Sequence, residues 1–395
     1  MSASNPSTAI LLTTYPGQRP LHETAKLAAA GGVPRNSAAE LAHVLDADII
    51  DNSNSATGSA RVYRILTRLA GLPAALSAEV LLRGRSYRTV IAWADRLGLP
   101  LALVNKLIRR RQTLFMISVD LSHPKKAFFL RRLHVDRQMR AIICSSSVQI
   151  ELVSEELGVP REKLHLIQPG VDTRFWQPGD QPGERRFCSV GSEARDWATF
   201  VAAVADVDAE VEVALGSIVL ANPTGSEHPD NVQEAPESGT GVRLDPLELM
   251  KGTAGHKAYQ RWLDQRRGAV PDRIRWYMQL KSPQLRSLYA RSCFVVIPLH
   301  NVEFDAGYTT ILEAMAMGKA VIVTRTRGQV DLVTEGEQGL YVDPANPAAL
   351  RAAINRLLDS PEDAQRMGLA GRRLVEERYT LDGYIQQLAD LVRQG

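Results

Sequence analysis

Short apolar runs rich in β-branched residues alternate with longer amphipathic segments along almost the whole chain, the pattern of strand–helix–strand units wound on a parallel sheet. Thr8–Thr13, Asp48–Asp51, Leu114–Ser118, Arg140–Cys144 and Leu164–Gln168 read as strands of a first part. Arg186–Val190, Val211–Leu215, Arg273–Gln279, Cys293–Pro298, Ala320–Thr324 and Gly339–Val342 read as buried strands of a second. Helices fill the intervals. One starts at a Ser146-x-x-Gln149 capping box and closes at Gly158-Val159-Pro160, and Ser282 followed by Pro283 starts another. From Pro344 onward the pattern is nearly all helix, with a break at Tyr379-Thr380-Leu381-Asp382 before a last helix ending near Arg393.

Turn-forming residues crowd the stretch from Pro169-Gly170-Val171-Asp172 to Pro182-Gly183, which places a domain boundary there. Asn222–Gly241 is polar and almost free of large apolar residues, the composition of a surface insertion. A chain of 395 residues accommodates two to three domains of roughly 100–200 residues each. No apolar run reaches the ~18 residues of a membrane-spanning helix, and Met1–Gly17 lacks a basic flank ahead of its short apolar run. Cys144, Cys188 and Cys293 are odd in number and far apart, which fits neither a disulfide framework nor a thiolate metal cluster. These features predict reduced thiols and a cytoplasmic chain.

Charge changes that picture. The net value is +3, yet Arg61 to Arg140 holds 17 Lys or Arg against four acids (Glu79, Asp95, Asp120 and Asp136), a surplus of 13 that leaves the remainder acidic by 10. Such a field attracts anionic partners: phospholipid head groups, a phosphate-bearing substrate or nucleic acid. Nucleic acid is disfavoured, because no zinc-finger spacing or aromatic RNA-binding run accompanies the charge. Arg61, Arg64 and Arg68 fall on one stripe of a predicted helix beside Val62, Ile65, Leu66 and Leu69. The plain reading is a helix packed on the sheet with a solvated basic edge. The sharper one is an anionic membrane contact, peripheral at the inner face, to which Arg109-Arg110-Arg111 and Lys125-Lys126 would add.

The stretch richest in chemistry runs from Asp305-Ala306-Gly307-Tyr308-Thr309-Thr310-Ile311-Leu312-Glu313 to Gly318 and on through Val323. It follows a predicted strand, opens a helix, stops at Gly318 and re-enters a strand. The first turn of such a helix presents backbone N–H groups toward the carboxyl edge of the sheet, an anion site suited to a diphosphate. Gly307 lets a phosphate approach the backbone, and Asp305 and Glu313 flank the site as acceptors for sugar and ribose hydroxyls. These residues resemble the retaining glycosyltransferases of family four, group 1, whose donor site is similar to Glu-x7-Glu within E-G-F-G-x-x-x-L-E-A-M-A-x-G-x-P-V-I. The likeness is carried by Leu312-Glu313-Ala314-Met315-Ala316, Gly318 and Val321-Ile322. It extends to Gly158–Leu164, to Ile167-Gln168-Pro169-Gly170-Val171-Asp172-Thr173 and to Gly336–Pro344, covering the chain from about Arg140 onward.

The resemblance implies an α/β GT-B fold of two Rossmann-like domains with parallel sheets facing each other across a cleft. Residues 1–172, joined by the last helix at about 380–395, would bind the acceptor, and residues 173–379 the nucleotide sugar. The implied reaction moves a glycosyl group, with its anomeric configuration retained, from a UDP- or GDP-sugar to an acceptor glycan, lipid or small molecule, without a metal or other cofactor. Amides at Tyr308 and Thr309, with Arg195, would stabilise the departing diphosphate, while Glu313 holds the ribose and Asp305 the sugar. His123, after the Leu114–Ser118 strand, would face the reacting carbon, with Asp120 as its competitor. Gly17 stands in Tyr15-Pro16-Gly17-Gln18, where relatives carry a glycine-rich loop facing the donor.

The pattern also departs from the family. Asp305 is one methylene shorter than the usual Glu, and the phosphate-binding run G-R-x-x-x-x-K-G is represented by Gly191-Ser192-Glu193-Ala194-Arg195-Asp196-Trp197, with Ser192 where the first Arg belongs. Each residue has a plainer reading. Thr310-x-x-Glu313 is itself a capping box, Asp305 fits an Asx turn, Arg195 fits a solvated position before a helix, and His123 fits a polar loop. Two other functions stay open: another GT-B enzyme, such as an epimerase or phosphorylase, and a catalytically silent GT-B protein that binds a nucleotide or partner. A Rossmann dehydrogenase is disfavoured, since no Gly-x-Gly-x-x-Gly follows the first strand.

Overall fold

The β-branched runs fold as parallel strands covered on both faces, as their lack of in–out alternation requires. Ala141–Cys144, Phe294–Ile297 and Ala320–Thr324 are buried at every position. The computed structural model describes residues 8–12, 21–51, 75–77, 80, 87–179, 185–215, 274–278 and 280–395. They belong to two units, Met1–Phe175 with Glu303–Asp305 and Tyr379–Gly395, and Trp176–Val302 with Ala306–Arg378. Gly17, the Arg61, Arg64 and Arg68 stripe and the Asn222–Gly241 segment lie outside the described residues.

The first unit holds β1 (Thr8–Leu11), β2 (Asp48–Ile50), β3 (Thr89–Ala92), β4 (Thr113–Ile117), β5 (Ala141–Cys144) and β6 (Leu164–Leu166), in the order β2-β1-β3-β4-β5-β6. The sequence pattern gives five of these strands and misses β3. This four-residue strand sits in the middle of the sheet, paired in parallel with both β1 and β4. Its apolar run, Val90-Ile91-Ala92-Trp93-Ala94, passes directly into the Asp95–Leu107 helix, with no turn residue to mark where the strand ends.

Apolar spacing explains the last helix, Leu381–Arg393. Leu381, Tyr384, Ile385, Leu388 and Ala389 recur at helical intervals and pack into the cluster formed by Ile10, Ile91, Phe115 and Ile143 of the first sheet. Val171 donates its N–H to Tyr379 O at 2.8 Å and accepts from Leu381 N at 2.9 Å. Arg35 ties the same strands of chain together, donating from Nε to Asp172 Oδ1 at 3.2 Å and from Nη1 to Asp382 Oδ1 at 2.6 Å.

The helix after β5 begins as expected at Ser146, whose hydroxyl accepts from Gln149 N at 3.3 Å. The reciprocal half of the box is different. Gln149 Oε1 accepts from Ser145 N, one residue earlier, because its amide also donates to Val119 O at 2.7 Å and is drawn toward the loop after β4. The helix widens into a π turn at Leu152–Glu156 and ends at Gly158 with φ 72°.

The second unit holds β7 (Arg186–Val190), β8 (Glu210–Leu215), β9 (Ile274–Met278), β10 (Phe294–Ile297), β11 (Ala320–Thr324) and β12 (Gly339–Val342), in the order β12-β11-β10-β7-β8-β9. The chain winds outward through β7, β8 and β9, then returns to lay β10, β11 and β12 on the other side of β7. The reversal falls between β7 and β10, which pair through Cys188 and Val295. In an open parallel sheet this is where the connections diverge and leave a crevice beyond the carboxyl ends. No described helix is long and apolar enough to cross a membrane.

Candidate active site

Two loops leave the sheet at that reversal, one after β7 and one after β10. The first runs from Gly191 to Asp196 and into the Trp197–Val204 helix, whose N-cap is Asp196. It is pinned to the second loop by backbone bonds: Asp196 N donates to Pro298 O at 3.0 Å and His300 N to Ala194 O at 2.8 Å. Gly191 has φ 108°, and a Cβ there would lie 2.4 Å from Arg195 Nη2, so the glycine is required by conformation and by space.

Arg195 is not a solvated residue. It is 6% exposed, and its guanidinium fills the space above Gly191. Nε and Nη2 donate to Val190 O at 3.0 and 2.8 Å, Nη1 to Glu193 O at 2.9 Å, and Nη2 also to Thr310 Oγ1 at 3.0 Å. These bonds use all but one of the five N–H donors of a guanidinium. Burial draws its pKa down to about 10, still leaving a fixed cation at neutral pH.

The loop after β10 ends at Gly307, the N-cap of the Tyr308–Ala316 helix. Gly307 has φ 81° and a Cβ there would meet Ile297 Cγ2 at 2.8 Å, again a position closed to other residues. Gly307 has no side chain with which to cap this helix, and the helix dipole favours an anion at its N-terminus. Tyr308 is buried and Thr309 exposed. The loop is held from below, where Leu299 N donates to Thr324 Oγ1 at 2.9 Å and the buried Gln329 donates from Nε2 to Ala306 O at 2.9 Å.

Thr310 and Glu313 lie three residues apart, on one face of the helix, and neither caps it. Thr310 receives Arg195, and Glu313 Oε2 accepts from the hydroxyl of Tyr289 at 3.0 Å. The capping-box reading of this pair therefore fails, since the N-cap is Gly307, three residues before Thr310. Tyr289 comes from the Ser282–Arg291 helix, is 0% exposed and packs edge-on against Trp176 at 5.7 Å. Burial pushes the Glu313 carboxyl up to about 7, with the Tyr289 hydrogen bond opposing that rise. Burial, then the Glu313 charge, also raises the Tyr289 phenol well above its usual range.

The structure thus brings together Arg195, Gly307, Tyr308, Thr309 and Glu313 in the second unit. Asp305 is half-buried and belongs, with Glu303–Asp305, to the first unit. His123 follows β4 at the carboxyl edge of the first sheet and is the exposed N-cap of the Pro124–Arg131 helix, where its Nδ1 accepts from Lys125 N at 3.2 Å. That bond directs any imidazole proton to Nε2. Asp120 accepts from Ser122 N at 2.9 Å, an Asx turn in the same loop. Tyr289, Thr310, Thr324 and Gln329 were not legible as site residues; nothing in their local sequence sets them apart from ordinary helix and strand positions. Among the described residues no His, Cys, Asp and Glu cluster suits a metal ion.

Residues 254–374 match the family described as glycosyl transferases group 1. The chain is 25% identical over 250 residues to an MMP alpha-(1->4)-mannosyltransferase of Mycolicibacterium hassiacum, covering 62% of this chain and 52% of that protein. It is 24% identical over 283 residues to a D-inositol 3-phosphate glycosyltransferase of Segniliparus rotundus, covering 70% and 57%. The chain spans about half the length of these curated relatives. In three dimensions it is similar to Anabaena Alr3699/HepE, solved in complex with UDP and glucose, with a TM-score of 0.65 at 16% identity over 99% of this chain and 100% of that one. The chain resembles the group 1 glycosyltransferases in sequence, and its fold is GT-B.

Proposed function

We propose that this chain is a retaining, metal-independent glycosyltransferase that moves a sugar from a nucleoside-diphosphate sugar, with uridine or guanosine as the base, to an acceptor hydroxyl. One observation carries the reading. At the strand-order reversal a helix N-terminus opened by a glycine stands beside a buried cation and a carboxyl whose one hydrogen-bond donor among the described residues is a neutral hydroxyl. The diphosphate would lie over the amides of Tyr308 and Thr309, where the helix dipole and the remaining N–H of Arg195 offset the charge that develops as it departs. Ribose hydroxyls would supply the donors that Glu313 lacks. Asp305 would hold the transferred sugar, His123 would face its reacting carbon from the first unit, and Gly17 would border the donor.

The acceptor is a glycan, lipid or small molecule bound by the first unit, and the cationic surplus between Arg61 and Arg140 favours an anionic one. The name of the inositol 3-phosphate relative supports a phosphate-bearing acceptor. Release of nucleoside diphosphate from UDP- and GDP-sugars, with phosphate-bearing and neutral acceptors, tests the reading, and NMR of the product gives the anomeric outcome. Nucleotide binding without turnover on any acceptor would leave a silent GT-B protein instead, a reading favoured by the internal use of most Arg195 donors. Asp305→Ala should lower turnover more than nucleotide affinity. Normal turnover in that variant would remove Asp305 from the site.

A further inference from the structure

The three most exposed large apolar side chains among the described residues are Leu107 at 72%, Ile108 at 56% and Phe128 at 52%. All three fall within residues 106–140, where ten Lys or Arg face two acids. Of those acids Asp136 is buried and Asp120 is half-buried, engaged in its own turn. Among the described residues Arg109, Arg111, Lys125, Arg132 and Arg137 form no ion pair; Lys126 is held by the buried Asp95 at 3.0 Å.

Two neighbouring helices carry these residues. The Asp95–Leu107 and Pro124–Arg131 helices lie side by side, joined near their starts by Lys126 to Asp95 and past their ends by Lys106 Nζ, which donates to Leu133 O at 2.5 Å. Phe128 is exposed on the second helix and its carbonyl accepts from Leu133 N at 3.3 Å, while Leu107-Ile108 closes the first helix beside the Lys106 bond to Leu133. Leu107 and Ile108 lie at the amino edge of the first sheet, because the first helix descends from β3 and delivers the chain to the start of β4. His123, at the start of the second helix, is on the edge opposite Leu107 and Ile108.

The turn itself shows a conflict with stability. Arg109 N donates to Lys106 O at 3.3 Å and Arg110 N to Asn105 O at 2.9 Å, the two crossing bonds of a helix terminator that normally carries glycine at its left-handed position. Here that position is Arg109, with φ 54°. A left-handed conformation disfavours any residue with a Cβ, so folding alone selects glycine and not arginine. The strained residue is a cation, next to two outward-facing aliphatic side chains.

We propose that Leu107, Ile108 and Phe128, rimmed by Arg109, Arg111 and Arg132, form a docking face for an anionic lipid bilayer. The apolar side chains enter the acyl boundary while the guanidinium groups remain with the lipid phosphates, the division of labour of an interfacial anchor. Apolar tips distinguish this face from one that binds a polyanion or an acidic protein by charge alone, for which exposed leucine, isoleucine and phenylalanine contribute nothing. The inference rests on this surface and stands whether or not the chain transfers sugars.

Co-sedimentation with vesicles of phosphatidylglycerol and phosphatidylcholine tests it. The full chain should bind mixed vesicles, ignore pure phosphatidylcholine, and release as salt shortens the Debye length. Leu107→Ser/Ile108→Ser and Phe128→Ser should each weaken binding at least about tenfold, since burying one such side chain is enough for that. Their melting temperatures should not change, because these groups are exposed. Arg109→Gly is the sharpest variant: it should raise the melting temperature while weakening vesicle binding roughly fivefold, as expected for one lost cation at a charged bilayer. Quenching of a Phe128→Trp variant by brominated acyl chains would report insertion directly. Absence of vesicle binding at low salt overturns the proposal. So does vesicle binding that all the apolar variants retain in full, which would leave a simple polycation that heparin should capture equally well.

Discussion

Two glutamates of the second unit, each bonded to a tyrosine hydroxyl, have opposite proton affinities. Glu212 on β8 is 1% exposed; Tyr277 donates to its Oε1 at 2.8 Å, and Arg291 closes a two-point bond from Nε at 2.8 Å and Nη2 at 2.9 Å. Burial alone would raise its pKa, but the Arg291 hydrogen bond and charge, helped by Tyr277 and Arg186, hold it below the usual range. Glu313 has the tyrosine without the arginine, and burial wins, taking it to about 7. The comparison teaches how to tell a structural carboxylate from one that lacks something. Glu212 is fully partnered within the fold, whereas Glu313 has a single neutral donor among the described residues, as the proposed ribose contact requires.

The largest expected effect follows from breaking the complete pair. Glu212→Gln should destabilise the protein by about 3 kcal/mol, because it leaves Arg291 without its charge partner in a half-buried site. Urea unfolding measures this, and donor affinity of the folded variant should be unchanged. The Glu212 contribution is present above the unfolded carboxylate pKa of about 4.3 and is lost as pH falls through its lower folded value. A loss below about 1 kcal/mol would mean that the two glutamates are more alike than their surroundings suggest.

The reverse pattern is expected at Glu313. Glu313→Ala should lower affinity for the nucleotide sugar about tenfold to a hundredfold, the worth of one charge-assisted hydrogen bond, with the fold intact. Calorimetric titration reads it. An unchanged affinity would assign Glu313 to packing.

Titration sharpens the contrast further. Because hydroxyl donors favour the ionised carboxylate, donor affinity should climb between about pH 6 and pH 8 as Glu313 ionises near 7, and Glu313→Gln should flatten the profile. Stability runs the other way. A carboxyl raised in the folded state contributes fully below its unfolded pKa and loses that contribution as pH rises through about 7. Glu313→Gln should therefore raise the melting temperature relative to wild type at about pH 8 and leave it unchanged below about pH 4. The smallest effect belongs to Tyr289→Phe. It removes the hydroxyl that opposes the rise, so the midpoint of the affinity profile should move to higher pH, with affinity near neutrality reduced about fivefold. An unmoved midpoint would show that the hydroxyl does not orient or stabilise the carboxylate.

Much of the fold was legible in one dimension because burial on both faces of a parallel sheet demands continuous β-branched runs. Leu381, Tyr384, Ile385 and Leu388 likewise spell an amphipathic last helix from their spacing alone. Gly307 could be read as the opening of a helix, since a glycine between a strand and an apolar helical pattern has few other uses. By itself, then, the sequence determined the α/β class, nearly all of the strands and the order of the loops that leave their carboxyl ends. These depend on near neighbours, and near neighbours are what a sequence lists.

Tertiary structure decided the rest, because burial and partnership are set by residues far apart in the chain. β3 exists because β1 and β4 supply partners on both sides of four residues that could not declare themselves a strand. Arg195 became an internal brace when Thr310, 115 positions away, was placed against it. Glu313 and Glu212 are chemically identical in sequence, and only the folded chain gives one of them an arginine. The difference in their proton affinity is a difference in neighbours, fixed when the one helix carrying both Tyr289 and Arg291 packed on the sheet.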